Sequence, residues 1–286
     1  MERWLEYVRE RFPLPAHILT IGGLVLSGLF LEGGTFHLRG VLVSCLGFLL
    51  FFFQLRLMDD LRDHAKDTAA HPARPLPRGH VTLESARQAT VLLNLLMLTY
   101  GALVMVLTNR TASFAYFGLV VYLMLVHEGF FLGRRVEDRL LLRAVVRHGM
   151  ALAACIFAVT VTRPEWFASI QTLWLGLAIL GAALTHEICR KLDPDTHAVL
   201  KTYPAVYGRN ITFLAVAAAC LAAGMGAWGL GLQKLLWPAA GLVLLLSAWV
   251  LFFAPRRHRV AKGAAALSLL LHLWAVVIQR FTGWPA

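Results

Sequence analysis

The residues best suited to chemistry lie in one short acidic segment, residues 56–67, which read RLMDDLRDHAKD. If the apolar helix before them continues through the segment, Asp60, Asp63 and Asp67 fall within about 60° of one another, and Arg56 joins the same stripe. Carboxylates crowded on one helix face repel one another unless a cation neutralises them. Mg²⁺ suits this role because it takes carboxylate oxygens and keeps positions for phosphate oxygens. The spacing therefore predicts a magnesium site that binds phosphate groups.

Asp59 lies beside this acidic stripe, about 100° around the helix, and is expected to support the metal site from its side. The alternative is a solvated helix end whose charges pair along the helix, as in Arg56–Asp60 or Asp63–Lys66. For a single acidic pair that alternative would be preferred. Four of the chain's 16 acidic residues fall within nine positions here, and this density favours the metal site.

A proline-rich loop follows the acidic segment. Residues 69–79 read AAHPARPLPRG, in which three prolines within six residues prevent a helix and stiffen the chain. A stiff loop can present Arg74 and Arg78 at a fixed place, and arginine forms bidentate contacts with phosphate. The alternative is a basic loop that only fixes the orientation of the chain in a membrane.

The elements that must position these residues are membrane-spanning helices. The 286-residue chain is 58% hydrophobic and 15% charged, with a mean hydropathy of +0.66. A soluble domain has roughly 25% charged residues, so the composition excludes an ordinary soluble enzyme and a disordered chain. Stretches near the 20 or so apolar residues that cross a bilayer occur at residues 16–32, 39–57, 88–108, 112–133, 141–162, 166–189, 210–231, 235–253 and 264–281. We expect an all-α polytopic membrane protein of about nine transmembrane helices.

The basic residues predict how these helices are oriented. Five of the 27 Lys and Arg residues fall on one side of the nine spans, and the other 22 fall on the opposite side; the five are Arg39, Arg110, Arg163, Lys234 and Arg280. The positive-inside rule then places the N-terminus in the cytoplasm and the C-terminus outside. The net charge of +11 is explained by topology, so nucleic acid is not an expected partner. The expected partner is the lipid bilayer, which we expect to be a bacterial inner (cytoplasmic) membrane.

We expect a single membrane domain over residues 1–286. An amphipathic segment, residues 1–15, precedes the first span and could lie on the membrane surface. Two inner connections, residues 57–87 and 190–209, are long and carry most of the acidic residues outside the N-terminal segment. They are the expected active-site loops.

The motif formed by the two features above resembles the first signature of the UbiA superfamily of intramembrane prenyltransferases. The family form is NDxxDxxxD followed by RPLPxG, and this chain has DDxxDxxxD at residues 59–67 and RPLPRG at residues 74–79. Asp59 stands where the family commonly has Asn. The same residues spell DDxxD, the spacing with which many prenyl-diphosphate enzymes hold Mg²⁺. The resemblance implies a bundle of nine helices with the site at its cytoplasmic edge.

The resemblance also implies a second acidic motif, often DxxxD, after the sixth helix. Residues 186–195 read HEICRKLDPD, so Glu187 matches the first acidic position and Lys191 stands where an Asp is expected. Asp193 and Asp195 follow as further candidate metal ligands. Arg190 or Lys191 could neutralise diphosphate directly, and an ordinary charged helix end is the alternative.

The implied activity is Mg²⁺-dependent ionisation of an allylic prenyl diphosphate and transfer of the prenyl group to an aromatic or other small acceptor. The catalytic residues would be Asp60, Asp63, Asp67 and Glu187, and the metal ligands would be the same four with Asp59, Asp193 and Asp195. The diphosphate-binding residues would be Arg56, Lys66, Arg74, Arg78, Arg134, Arg190 and Lys191.

Two other activities remain open. A terpene cyclase of the same superfamily would use the same ionisation and then cyclise its own substrate, and the altered second motif leaves room for it. A membrane transporter is the more remote alternative, because transporters usually place charged groups near the midplane on broken helices. Here the carboxylates gather at one edge of the predicted bundle.

Overall fold

The computed structural model describes residues 2–128, 139–197 and 199–283, and within these ranges it contains helices and no strand. Two short helices lie outside the spans: α1 (Glu2–Arg11) and α4 (His64–Ala70). The others are α2 (Leu14–Phe30), α3 (Leu38–Arg62), α5 (Leu83–Leu107), α6 (Arg110–His127), α7 (Leu140–His148), α8 (Met150–Thr160), α9 (Ile170–Cys189), α10 (Tyr203–Gly229), α11 (Gln233–Phe252) and α12 (His258–Thr282). Arg134, an expected diphosphate ligand, lies outside the described residues.

The predicted all-α bundle is confirmed. Nine stretches of the described chain are long and apolar enough to cross a membrane, one for each predicted span. The fifth span consists of α7 and α8, which meet at Gly149.

Polar side chains at the helix ends fix where several spans begin. Thr82 accepts a hydrogen bond from the backbone of Ser85 at the start of α5, and Asn109 accepts one from the backbone at the start of α6. Ser169 does the same for α9. Each cap satisfies one of the amide groups that the first helical turn leaves without a partner.

The spans close into a ring. Each span packs against the next along the chain, and α12 returns to pack against α2. The sixth span, α9, is the most buried of the nine and also packs against α12. The chain therefore places the C-terminal end of α9, which carries Glu187, among neighbours on several sides.

Helices α9 and α10 approach each other at two glycines. A Cβ added to Gly226 of α10 would lie 2.7 Å from the Cα of Ala178, and one added to Gly181 of α9 would lie 2.7 Å from the carbonyl oxygen of Ala219. Both distances are shorter than any real Cβ contact. Small residues of this kind let the backbones of membrane helices touch, which holds the helices by van der Waals packing.

The helices extend further at the inner side than the apolar stretches do. Residues 57–62 belong to α3, residues 83–87 to α5 and residues 203–209 to α10, so much of the two expected loops is helical. Charged residues beyond the apolar core can continue a helix when they pair with one another and with neighbouring helix ends. Asp59, Asp60 and Asp67 therefore lie on helix ends, which hold them more rigidly than a loop would, whereas Asp193 and Asp195 lie outside the helices.

The glycine contact between α9 and α10 predicts a stability effect. Replacing Gly181 or Gly226 with Ala should destabilise the bundle by roughly 1–3 kcal/mol, because the added methyl group must push two backbones apart. Thermal unfolding of the purified protein would measure it. The control is Gly118→Ala on α6, where an added Cβ meets nothing within 4 Å and helix propensity favours alanine. Equal melting temperatures for all three variants would contradict the packing argument.

Candidate active site

The acidic segment spans the junction of α3 and α4. Helix α3 ends at Arg62, Asp63 takes φ −90° and ψ 8°, and α4 begins at His64. The backbone hydrogen bonds nevertheless continue with helical spacing. The amide of Asp63 donates to the backbone carbonyl of Asp59 at 2.9 Å, and the amide of Asp67 donates to the backbone carbonyl of Asp63 at 2.8 Å. This continuity keeps Asp67 close to the acidic side chains of the preceding turns.

Asp60 is the most heavily engaged carboxylate of the segment. Arg11 of α1 donates two hydrogen bonds to it, from Nε at 2.9 Å and from Nη2 at 2.6 Å. The hydroxyl of Tyr7 donates a third at 2.9 Å, and Arg56 lies 3.5 Å away, one turn back on α3. The side chain of Asp60 is 6% exposed, so these donors replace the water that it loses.

Asp67 also contacts Arg11. Nη2 of Arg11 lies 3.9 Å from Asp67 Oδ2, while Arg74 of the proline-rich loop donates to Oδ1 at 2.6 Å. A single guanidinium nitrogen therefore contacts both Asp60 and Asp67. Mg²⁺ takes carboxylate oxygens, and these two side chains are close enough to share one cation, so the donor set fits the metal.

Asp63 has a different environment. It pairs with Lys66 at 3.2 Å and with Arg62 at 3.8 Å, and its side chain is 35% exposed. Burial would raise the pKa of this carboxyl, but the charges of Arg62 and Lys66 outweigh burial and lower it. Asp63 thus stays ionised at the more open side of the segment. Within the described chain, no three His, Cys, Asp or Glu side chains group closely enough to hold a metal on their own.

Asp60 raises the pKa of the two α1 residues that contact it, Arg11 and Tyr7. Burial alone would lower the pKa of Arg11, but its hydrogen bond to Asp60 and the charge of Asp60 raise it. Burial, with Asp60 adding to it, raises the pKa of Tyr7. Both groups therefore remain donors at neutral pH.

Asp59 pairs with arginines on two helices. Arg62 donates to it at 2.7 Å, and Arg147 of α7 donates to its other oxygen. The chain thus has a carboxylate where the family commonly has Asn, and Arg147 balances its charge. Arg147 is a site residue that sequence reasoning missed, although Arg143 and Arg147 lie one turn apart at the inner end of the fifth predicted span.

The second polar segment gathers around Glu187 at the end of α9. Arg190 donates to one oxygen of Glu187 at 2.5 Å, and Lys191 lies 2.7 Å from the other. Burial lowers the pKa of Lys191, and the charge of Glu187 opposes this effect. The Nζ of Lys191 also lies 5.8 Å above the ring of Tyr203. Glu187 is therefore neutralised by the two basic residues expected to bind diphosphate.

Asp193 and Asp195 do not join Glu187 in such a group. Asp193 lies 3.5 Å from His258 at the inner end of α12 and accepts a hydrogen bond from the backbone of Asp195. The side chain of Asp195 is exposed. Helix α9 ends at Cys189, before either aspartate, so helical spacing does not bring them to Glu187.

Arg78 contacts α1 and not the acidic segment. It pairs with Glu6 and, at 2.9 Å, with Glu10, while His80 lies 2.6 Å from Glu6. Arg74 and Arg78 therefore point to different partners, and only Arg74 reaches one of the predicted metal ligands.

Buried donors near the site have no hydrogen-bond acceptor within the described chain. The hydroxyl of Tyr203 is one, and Tyr203 is fully buried beside Lys191. Nε of Arg62 is another. Buried polar groups are normally hydrogen-bonded, so donors of this kind fit a site that receives an anion.

The architecture and the site define a polytopic membrane protein with paired acidic and basic groups at one edge of its helical bundle. The model of the UbiA prenyltransferase family matches residues 21–276. The chain belongs to this family, which supports a prenyltransferase-type enzyme that acts within the membrane.

A solved structure shares the fold. It is described as "Structural and mechanistic insights into the biosynthesis of Digeranylgeranylglyceryl phosphate synthase in membranes", and it is 14% identical to this chain with a TM-score of 0.61. The match covers 96% of this chain and 100% of that one. No curated protein sequence matches.

The pair between Asp59 and Arg147 predicts a measurable coupling across the site. In a double-mutant cycle with Asp59→Asn and Arg147→Gln, the coupling free energy should be roughly 1–2 kcal/mol, because each single change leaves a half-buried partner without its charge. Denaturant unfolding of the four proteins in detergent would measure it. The matched control is the exposed pair Asp63–Lys66, whose coupling should be below about 1 kcal/mol. A coupling no larger than the control would refute the bridge between α3 and α7.

Proposed function

We propose that the protein is a Mg²⁺-dependent intramembrane prenyltransferase that ionises an allylic prenyl diphosphate and transfers the prenyl group to an aromatic or other small acceptor. The observation that carries this proposal is the pairing of Asp60 and Asp67 with Arg11 and Arg74 in a chain of the UbiA family. The guanidinium of Arg11 already lies between the two carboxylates, and Arg74 of the proline-rich loop lies beside Asp67.

The residues divide into metal ligands and phosphate ligands. Asp60 and Asp67 would hold Mg²⁺, and Asp63 and Glu187 are proposed as further carboxylate ligands. When bound, Mg²⁺ supplies positive charge to the oxygens of the departing diphosphate. Arg74 is the loop residue placed to contact those oxygens, and guanidinium groups bind them in a bidentate manner.

The remaining basic residues support the same charge. Arg56, Lys66, Arg190 and Lys191 all contact a carboxylate of the two acidic segments. A diphosphate that approaches these carboxylates therefore meets nearby cations, whose charges would attract it.

The reaction that this arrangement supports begins with cleavage of the bond between C1 of the prenyl chain and the diphosphate oxygen. The electron pair leaves with the diphosphate, and an allylic carbocation remains. A nucleophilic carbon of the acceptor forms the new bond to C1, and the acceptor then loses a proton. The apolar bundle would shelter the cation from water and so limit hydrolysis.

The proposed orientation follows from the positive-inside rule. The N-terminus and both acidic segments face the cytoplasm, the C-terminus faces outside, and the membrane is the bacterial inner membrane. A soluble prenyl acceptor or a diphosphate made in the cytoplasm would reach the site directly, while the prenyl tail extends among the helices.

The test is turnover by the purified protein in nanodiscs. The C10, C15 and C20 prenyl diphosphates are supplied with Mg²⁺, with and without a panel of small aromatic acceptors, and diphosphate release and organic products are measured. Turnover that requires an acceptor supports the transferase. Cyclic hydrocarbons or alcohols formed without an acceptor would identify a terpene cyclase instead, and no diphosphate release from any substrate would refute both.

Substitution of the acidic residues should abolish this turnover. Asp60→Asn, Asp63→Asn and Asp67→Asn should each reduce Mg²⁺-dependent diphosphate release by about 100-fold or more, as expected when a charged group acts at the reacting centre. The control is Glu165→Gln, an acidic residue between α8 and α9 at the opposite end of the bundle. Full activity in all three Asp variants would refute the site assignment.

A further inference from the structure

The N-terminal helix α1 is docked against the acidic segment. Tyr7 is fully buried in a small apolar cluster with Leu57 of α3, Leu76 of the proline-rich loop and Val81. Phe12, just after α1, is also buried and packs edge-on against Phe53. Tyr7 and Phe12 therefore pack on protein and dock α1 there, whereas Leu5 and Leu14 of the same segment are exposed.

Ion pairs hold the polar side of the same helix. Glu6 and Glu10 pair with Arg78, and Glu6 also pairs with His80. The proline-rich loop, which supplies Arg74 to Asp67, is thus fastened to α1 as well as to the acidic segment. Any movement of α1 would therefore also displace the proline-rich loop.

Arg11 lies where α1 meets the two predicted metal ligands. It makes a bidentate contact with Asp60 and approaches Asp67 at 3.9 Å, and its side chain is 10% exposed. A divalent cation that bridges Asp60 and Asp67 would need the same oxygen atoms. Arg11 and the metal therefore compete for one place.

We propose that Arg11 is an exchangeable counter-ion of the active site, which holds Asp60 and Asp67 before the metal–diphosphate complex binds and then pairs with the diphosphate. The proposal rests on the proposed function. An arginine that leaves the carboxylates stays next to the site because α1 is docked there by its buried face. A guanidinium that is strongly drawn to carboxylate oxygens is also a good partner for diphosphate oxygens.

The exchange predicts opposite effects of one substitution. Without substrate, Arg11→Gln removes the competitor, so a divalent cation should bind more tightly. During turnover the same variant lacks a diphosphate partner, so the KM for prenyl diphosphate should rise and kcat should fall. A residue that only supports the fold would not tighten metal binding while it weakens catalysis.

The experiment compares Mn²⁺ binding and turnover in the full-length protein in nanodiscs. Mn²⁺ serves as the probe because electron paramagnetic resonance detects its binding without substrate. Displacement of Mn²⁺ by Mg²⁺ then measures the affinity of the same site for Mg²⁺. For Arg11→Gln the Kd for Mn²⁺ should fall about 5-fold or more, and kcat/KM with Mg²⁺ should fall about 10-fold or more. The matched control is Arg9→Gln, which removes one positive charge from an exposed position on the same helix and should change neither.

Two outcomes would overturn the proposal: unchanged or weaker Mn²⁺ binding in Arg11→Gln, or equal tightening in Arg9→Gln. If Arg11→Gln does not fold, Arg11→Lys replaces it, since lysine keeps the charge and loses the bidentate contact. It should then show tighter Mn²⁺ binding than the wild type, by a smaller factor, and the absence of that shift would count against the exchange.

The failure of the proposed function is a separate result. A wild-type protein that releases diphosphate from none of the prenyl substrates would refute the function. The Mn²⁺ comparison needs no substrate and would still show whether Arg11 competes with a cation for Asp60 and Asp67.

Discussion

The site depends on the neutralisation of carboxylates that have lost most of their water. Asp60, Asp67 and Glu187 are all buried at the edge of the bundle, where an unpaired charge would cost several kcal/mol. Each has at least two basic partners. The pairs of Asp60 and Asp67 join α1, α3, α4 and the proline-rich loop, whereas Glu187 is neutralised locally by the two residues that follow α9.

The same requirement explains why the chain departs from the usual motifs. Asp59 adds a negative charge where Asn is common, and Arg147 supplies the matching positive charge from α7. Lys191 stands where a second acidic residue is expected, and it pairs with Glu187. Each change of charge has a neighbour that compensates for it, so the departures form a consistent local pattern.

Much of the fold followed from the sequence, because runs of about 20 apolar residues specify spanning helices almost by themselves. The pairs Arg56–Asp60 and Asp63–Lys66, which the sequence offered as the alternative to a metal site, are present because helical spacing favours them. The partners Arg11, Tyr7 and Arg147 did not follow from the sequence. They come from distant parts of the chain, and spacing along one helix carries no information about such contacts. The continuation of α3 into the acidic segment was expected from the same spacing, whereas the inner extensions of α5 and α10 were not.

The positions of these partners along the chain have a consequence for biosynthesis. Segments of a nascent chain become available from the N-terminus onward, so Arg11 has already been made when Asp60 leaves the ribosome, and Arg74 follows soon after. Asp60 and Asp67 can therefore be neutralised while only the first spans exist. Asp59 has Arg62 at once but must wait for Arg147 in the fifth span. The part of the site around Asp60 and Asp67 can therefore form early in synthesis, whereas Asp59 gains its second partner only with α7, and Glu187 with its partners follows only with α9.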